Sequence, residues 1–331
     1  MKPIGTLLLR RADVAAVLGI EECIAAIEQV FRLQGEGKTE PPGVLGVHAR
    51  GGGFHIKAGW LELSRPYFAA KTNANFHDNV RRFNLPLIQG VVLLCDALNG
   101  YPLAVMDSIE ITIQRTGAAT AVAAKHLARP DSKVVTVAGC GNQGRISLRA
   151  LKRVLPLEKA FAYDRDEAQA ASLAQELAGE LRIEVEATND LERAVGRSDI
   201  VVTCTPSRQA FLRSDWVAPG TFVAAVGADS AEKQELEPTL TARSRLVCDL
   251  VEQCAGIGEL RYALDAGLLT RGQVHAELGE VVAGVKPGRM SPEETIVFDS
   301  TGMALQDVVA AAAVYEKAVA LGRGTLMDFS E

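Results

Sequence analysis

No cysteine pair in this sequence has the C-x-x-C spacing, although six cysteines are present, at 23, 95, 140, 204, 248 and 254. Most lie in apolar strand-like or helix-like segments. They read as buried free thiols of a reducing cytoplasm, neither disulfide partners nor metal ligands. Basic clusters are missing as well. Net charge is −6 and no run of Lys and Arg could track a phosphate backbone, so nucleic acid is not an expected partner. Apolar runs are short or broken by charge, which excludes a transmembrane helix. The first residues, Met-Lys-Pro-Ile-Gly-Thr-Leu-Leu-Leu-Arg-Arg, lack the apolar core and cleavage site of a signal peptide. No nucleophile elbow or Ser/His/Asp array stands out. His48, His77, His126 and His275 have no ligand-like spacing, so no metal is expected. A cytoplasmic globular enzyme is the expectation, and 331 residues suffice for two domains.

The informative stretch is Val-Val-Thr-Val-Ala-Gly-Cys-Gly-Asn-Gln-Gly-Arg, residues 134–145. A buried strand over Val134–Ala138 runs into Gly139-x-Gly141-x-x-Gly144, and an amphipathic helix follows from Arg145 to about Val154. Gly139 allows the tight turn, Gly141 keeps side chains away from a pyrophosphate, and Gly144 lets helix and strand pack closely. The free N–H groups of the helix start, with Asn142 and Gln143, favour an anion. Such a turn also occurs for structural reasons alone. Here a second strand, Ala160–Tyr163, ends in Asp164, 20 residues beyond Gly144. That is where a carboxylate accepts hydrogen bonds from an adenosine ribose. Asp164 would repel a 2′-phosphate and favour NAD over NADP, while the adjacent Arg165 works against that preference.

Along the chain, Asp13 reads as the cap of a short helix, and residues 20–34 have helical apolar spacing. Strands are expected at Val44–Ala49, Gly53–Lys57, Tyr67–Asn73, Val91–Cys95 and Pro102–Met106, with turns at Gly51-Gly52-Gly53 and Asn99-Gly100. This predicts a mostly antiparallel sheet with one or two helices. A helix follows over 110–127. Strands at 134–138, 160–163, 182–187, 199–204, 221–226, 245–249 and 295–299 then alternate with helices such as 167–180. That is the pattern of a doubly wound parallel sheet. A final apolar helix, Ala304–Leu321, is expected to return to the first domain.

Several segments carry a resemblance. Ala70-Lys71-Thr72, Leu85-Pro86-Leu87-Ile88-Gln89-Gly90, Arg115-Thr116-Gly117-Ala118-Ala119, the glycine turn with Asn142-Gln143, and Phe298-Asp299-Ser300-Thr301-Gly302 occur in order. Pro287-Gly288-Arg289 and Gln306-Asp307 add to them. Together they resemble the ornithine cyclodeaminase/mu-crystallin family over nearly the whole chain. The resemblance implies an α/β fold: a Rossmann-type doubly wound parallel sheet, 128–303, inserted in an α+β substrate-binding and dimerisation domain, 1–127 plus 304–331. It implies a homodimer formed through the first domain's sheet, and an active site in the cleft at the carboxyl ends of the strands. It also implies hydride transfer between a nicotinamide and the α-carbon of an amino or imino acid.

Lys71 stands in an apolar strand, where an ammonium needs an anion because an unpaired one costs several kcal/mol. The bland alternative is a lysine snorkelling at a strand end. The resemblance implies contact with the substrate α-carboxylate. Arg115, among small residues, has the fork geometry for a carboxylate; its alternative is a surface pair with Glu110. The resemblance places Thr116 near the cofactor phosphates, and Ser300 with the cofactor. Asp229 follows the strand 221–226, where ligands bind in such sheets, though an Asp after Gly also serves turns and caps. The resemblance implies a general base at Asp229 and a place beside the nicotinamide for Lys233.

His55 and Lys57 share a strand face. The family pattern has an acidic residue and a methionine in this region, and a further arginine where Gly43 stands. Lys57 supplies positive charge in place of that arginine, and a cationic pair repels an ornithine ammonium. The alternative for His55 is a strand histidine satisfied by backbone groups. Three readings follow. The first is an NAD(H)-dependent oxidoreductase of an α-amino acid or its imine. The second is a cyclodeaminase that recycles NAD and releases ammonia. The third is an NAD-retaining ligand-binding protein.

Overall fold

The computed structural model describes residues 5–76 and 78–329, so His77 lies outside the described residues. The chain forms two compact units. One comprises the segments up to Val30, Lys38–Arg115 and Met303 onward; the other comprises Phe31–Gly37 and Thr116–Gly302.

The first unit holds a seven-stranded sheet. Its strand order is Thr325–Met327, Thr6–Leu9, Pro102–Asp107, Ile88–Asp96, Pro66–Phe76, Gly52–Glu62 and Gly43–Ala49. Neighbours are antiparallel except Thr6–Leu9 with Pro102–Asp107. Gly51 (φ +84°) turns the first hairpin and Gly100 (φ +76°) the turn after Asp96, as their sequence settings predict. Gly52–Glu62 and Pro66–Phe76 are longer than expected. Their ladder continues unbroken from Gly52↔Phe76 to Glu62↔Pro66, so the partner carries pairing past Gly59 and Pro66. Thr6–Leu9 was not expected, because a threonine and three leucines are too few to show a period. Asp13 does not occupy the cap position. It is the third residue of the helix Arg11–Val17 and accepts the backbone N–H of Arg10 at 3.0 Å.

The helix Ala304–Ala320 covers one face of this sheet, its residues from Ala304 to Ala312 all buried. A Cβ on Gly59 would lie 2.9 Å from the Leu305 side chain, so the glycine sets how closely helix and sheet approach. Each buried Leu or Val of this helix contributes roughly 1.5–3 kcal/mol.

The second unit holds eight parallel strands in the order Ala276–Glu277, Arg245–Cys248, Ile296–Asp299, Phe222–Ala225, Ile200–Thr203, Val134–Ala138, Lys159–Tyr163 and Glu184–Ala187. The strand sequence reverses between Val134–Ala138 and Ile200–Thr203, giving the Rossmann-type doubly wound topology. The central strands are buried on both faces, which is why they read as unbroken apolar runs. The strand expected at 182–187 begins at Glu184, because Arg182 (φ +54°) ends the helix Glu167–Leu181 in a left-handed conformation. A separate parallel pair, Arg208–Leu212 with Gln234–Leu236, was not foreseen.

The units divide at 115/116, within the helix Ser108–Leu127, where sequence reading set the boundary after 127. The second half of the helix packs within the second unit: a Cβ on Gly117 would lie 2.7 Å from the Ile146 side chain. Residues 31–37 join it for a similar reason, Gln34 donating to the Glu277 carboxylate (3.0 Å) and the Asp249 carbonyl (3.2 Å). Among the described residues no helix is long and apolar enough to cross a membrane.

Candidate active site

In the second unit the three glycines each answer a separate steric demand. Gly139 has φ +108°, and a Cβ there would lie 2.8 Å from the Cys204 carbonyl oxygen. A Cβ on Gly144 would lie 2.1 Å from the Gly139 carbonyl oxygen. Gly141 caps the helix Asn142–Val154 and faces open space, with nothing within 4 Å of a would-be Cβ. Backbone amides at this helix start therefore meet a ligand with no side chain in the way. This is the fit a dinucleotide pyrophosphate requires. Asn142 is exposed here, and the Gln143 Oε1 is buried without a partner.

Asp164 stands at the end of the neighbouring strand. Its carboxylate accepts the N–H of Cys140 (2.8 Å) and of Asp166 (3.0 Å), which ties it to the glycine turn. Arg165 is exposed. Arg145 is held by Glu176 (2.8 Å), Ser172 (3.0 Å) and the Cys140 carbonyl, so the helix start is braced from the adjacent helix. Thr116 is buried, its carbonyl accepting the Thr120 hydroxyl.

Asp229 lies in the turn after Phe222–Ala225, its side chain 55% exposed, and Lys233 Nζ donates to it at 2.6 Å. It caps no helix. Ser300 is buried and donates to Asp249 at 3.3 Å. Asp249 also accepts the Thr301 hydroxyl and the Gly302 N–H, fastening the whole Ser300–Gly302 loop. Glu235, fully buried, ties two other loops: it accepts the N–H and hydroxyl of Thr205 (2.5 and 2.7 Å) and the N–H of Gly227 (3.0 Å). Burial raises its pKa against these bonds. Neither acid was singled out from sequence. Glu235 sits in a run rich in acidic residues, with nothing local to mark it as buried, whereas Asp249 ends the apolar run Leu246–Cys248 and carried a signal of the kind that marked Lys71.

One group among the described residues has ligand atoms close enough to hold a metal: Cys248, Cys254 and Asp299, all buried. Cys254 Sγ already donates to Asp249 (3.2 Å) and to the Asp299 carbonyl (3.4 Å), and burial pushes its thiol well up.

In the first unit the structure brings Lys57, Lys71 and Arg115 into one buried group, at 9%, 4% and 8% exposure. Lys57 and Lys71 are direct partners on adjacent antiparallel strands. Lys71 is in mid-strand, so the snorkelling alternative fails. Its Nζ donates to Asp307 at 2.9 Å and to the Thr112 hydroxyl at 3.3 Å. Arg115 does not pair with Glu110, which accepts from Arg11 and Gln114. Instead Arg115 Nη1 donates to Gln306 Oε1 at 3.2 Å, and its Nε lies 3.6 Å from Asp307. Burial brings Lys71 down to about 7; Asp307 opposes that shift, while Arg115 and Lys57 add to it. His55 lies outside this buried group, exposed and opposite Asn73. Asp307 and Gln306, present in the sequence only as part of the resembling motif, are the residues that Lys71 and Arg115 contact in this group.

Three buried polar atoms of this group have no hydrogen-bond partner: Arg115 Nε, Gln306 Nε2 and Asp307 Oδ2. Unmet buried donors each cost about 1–3 kcal/mol. The group thus holds two unmet donors and one unmet acceptor beside buried cations.

A Rossmann-type nucleotide fold joined in one chain to a buried cationic seat defines the class of protein. The chain belongs to the ornithine cyclodeaminase/mu-crystallin family, whose model matches residues 5–322. It is 36% identical to the alanine dehydrogenase of Archaeoglobus fulgidus over 326 residues, 98% of each chain. A solved archaeal alanine dehydrogenase dimer with bound NAD superposes with a TM-score of 0.94 at 36% identity, covering 98% of this chain and 100% of that one. The Thermococcus litoralis Δ1-pyrroline-2-carboxylate reductase, solved with NADH and L-proline, gives a TM-score of 0.92 at 33% identity, with 97% and 100% covered.

Proposed function

We propose that this protein is an NAD(H)-dependent oxidoreductase acting at the α-carbon of an amino acid or its imine, cyclic imines included. The observation that carries the reading is the pair of unmet donors, Arg115 Nε and Gln306 Nε2, buried beside Lys71. Their setting suits the α-carboxylate of a substrate, held by Arg115 through parallel hydrogen bonds and by Lys71 as a point charge. Lys57, opposite Lys71, adds positive potential. His55, exposed on the same strand face, faces the side-chain end of the ligand.

NAD suits the glycine turn, with Gly139, Gly141, Asn142, Gln143 and Gly144 at the pyrophosphate, Thr116 near the phosphates, Asp164 and Arg165 at the adenosine ribose, and Lys233 and Ser300 toward the nicotinamide. When bound, it would supply or accept the hydride at the substrate α-carbon. Asp229 takes the proton from the substrate nitrogen as the C–N bond becomes C=N, and returns it in the opposite direction. Lys71 and Arg115 fix the α-carbon by its carboxylate, so positioning comes from groups that take no part in bond changes.

The sheet of the first unit supports a homodimer. Leu45, Val47, Phe54, Trp60 and Val91 share the face opposite the helix-covered one, and all are exposed, Leu45 by 55% and Trp60 by 43%. A patch of this kind marks an interaction surface.

The test is a screen of the purified protein with NAD(H) and NADP(H). Substrates are L-alanine, L-proline, L-ornithine, L-lysine, pyrroline-2-carboxylate and piperideine-2-carboxylate, with NADH absorbance and ammonia followed together. NADH turnover on an imine or simple amino acid, abolished by Lys71→Ala, is expected. Ammonia from a diamino acid without net NADH would replace this reading with a cyclodeaminase.

A further inference from the structure

Resting on the reading of Lys71 and Arg115 as a carboxylate clamp, we propose that Asp307 is its positioning residue: it holds the Lys71 ammonium charged and aimed, and sets its spacing from Arg115. Of the elements packed around Lys71, the strand Ile88–Asp96 presents the apolar Val92, and three others carry charged or polar groups. The strand Gly52–Glu62 presents Lys57, the helix Ser108–Leu127 presents Thr112 and Arg115, and the helix Ala304–Ala320 presents Asp307 and Gln306. Lys57 and Arg115 are cations that destabilise an ammonium between them. Asp307 is the carboxylate bonded to it, and a single oxygen, Oδ1, lies 2.9 Å from Lys71 Nζ and 3.6 Å from Arg115 Nε.

The arrangement is not that of a purely structural ion pair. A buried pair offsets its desolvation only when its remaining hydrogen-bonding capacity is satisfied. Here the second oxygen of Asp307 is buried without a partner, as are Arg115 Nε and Gln306 Nε2. Asp307 lies in the first turn of its helix, where the dipole favours an anion. Gln306, its neighbour, accepts from Arg115. One helical turn thus orients both cations of the clamp and leaves donors open for another acceptor.

The charge on Lys71 is where this matters. Burial brings it down to about 7 even with Asp307 in place. An opposite charge at hydrogen-bond distance supports the charged form by about 1–3 pH units. Without Asp307, Lys71 is neutral at pH 7 and loses its hold on a carboxylate.

The test uses the full chain labelled with 13Cε-lysine, Lys71 being assigned by the signal lost in Lys71→Arg. Wild type and Asp307→Asn are titrated by NMR, and KM and kcat are measured from pH 6 to 9 on the substrate that turns over best in the screen. The expected result in Asp307→Asn is a Lys71 midpoint lowered by about 1–3 units. KM should rise about eightfold or more at pH 7.5, the change in charged fraction for a midpoint lowered by about 1 unit or more, and recover toward pH 6, with a smaller change in kcat. In a Lys71→Arg background, where position 71 keeps its charge, Asp307→Asn should no longer move the pH profile. An unchanged midpoint, or a KM increase independent of pH, would overturn the proposal. If Asp307→Asn does not fold, Asp307→Glu takes its place: it should keep the midpoint near wild type while raising KM, and a midpoint lowered as far as burial alone dictates counts against the role. The clamp itself is judged separately. If Lys71→Ala leaves KM unchanged the clamp reading fails, whatever Asp307 does.

Discussion

Arg115 shows what a single residue's surroundings add to its sequence position. Sequence left it divided between a carboxylate ligand and a surface partner of Glu110; burial and the bond to Gln306 remove the second option. Lys71 was legible because an ammonium in an apolar strand is costly wherever the strand lies. Asp307 was legible only as part of a motif, since its partner is 236 residues away in the chain. Asp164 illustrates a second kind of gap. Its position 20 residues beyond Gly144 was readable, but not that its carboxylate also braces the turn through the Cys140 N–H. Asp164→Ser should therefore do two things. Loss of the charge should raise the NADP-to-NAD ratio of kcat/KM by about tenfold, the worth of one like-charge repulsion in a partly screened site. Loss of the brace should lower the melting temperature. An unaltered cofactor ratio in steady-state kinetics would remove the ribose role and leave only the structural one.

At the scale of elements, the turn Gly139–Gly144 separates folding from binding within six residues. Gly144→Ala places a Cβ against the Gly139 carbonyl and should cost about 1–3 kcal/mol of stability. Gly141→Ala meets open space, so its melting temperature should match wild type while its Kd for NADH rises. Calorimetry of the two variants distinguishes these outcomes; equal NADH affinity in Gly141→Ala would mean that the pyrophosphate lies elsewhere. The parallel strands of the second unit were readable because burial on both faces leaves nothing but apolar residues in them. The pairing of Arg208–Leu212 with Gln234–Leu236 was not. Both strands are short, their register shifts between the two pairs, and the loops beside them are fixed by the buried Glu235.

For the molecule as a whole, the order of strands and helices made the two-unit organisation readable, but the dividing point was not. A continuous helix gives no local sign that its first half packs in one unit and its second half in the other. The exposed apolar sheet face was equally hidden, because alternation says which residues share a face and not which face a helix covers. Trp60→Glu on that face should convert a dimer to a monomer in sedimentation velocity, with the glycine turn and clamp intact. A dimer that persists in this variant and in Leu45→Asp would place the interface on another surface.

The order in which the chain is made has a bearing on the clamp. Lys71 and Arg115 are synthesised early, followed by nearly the whole nucleotide unit, and Asp307 comes after both. Lys71 on its strand and Arg115 on its helix are both made before the helix that carries their counter-charge. The strand Thr6–Leu9 likewise pairs on one side with Pro102–Asp107 and on the other with Thr325–Met327, which is made after every other strand of that sheet. The buried cationic group is thus completed only once the helix that brings its counter-charge has been made.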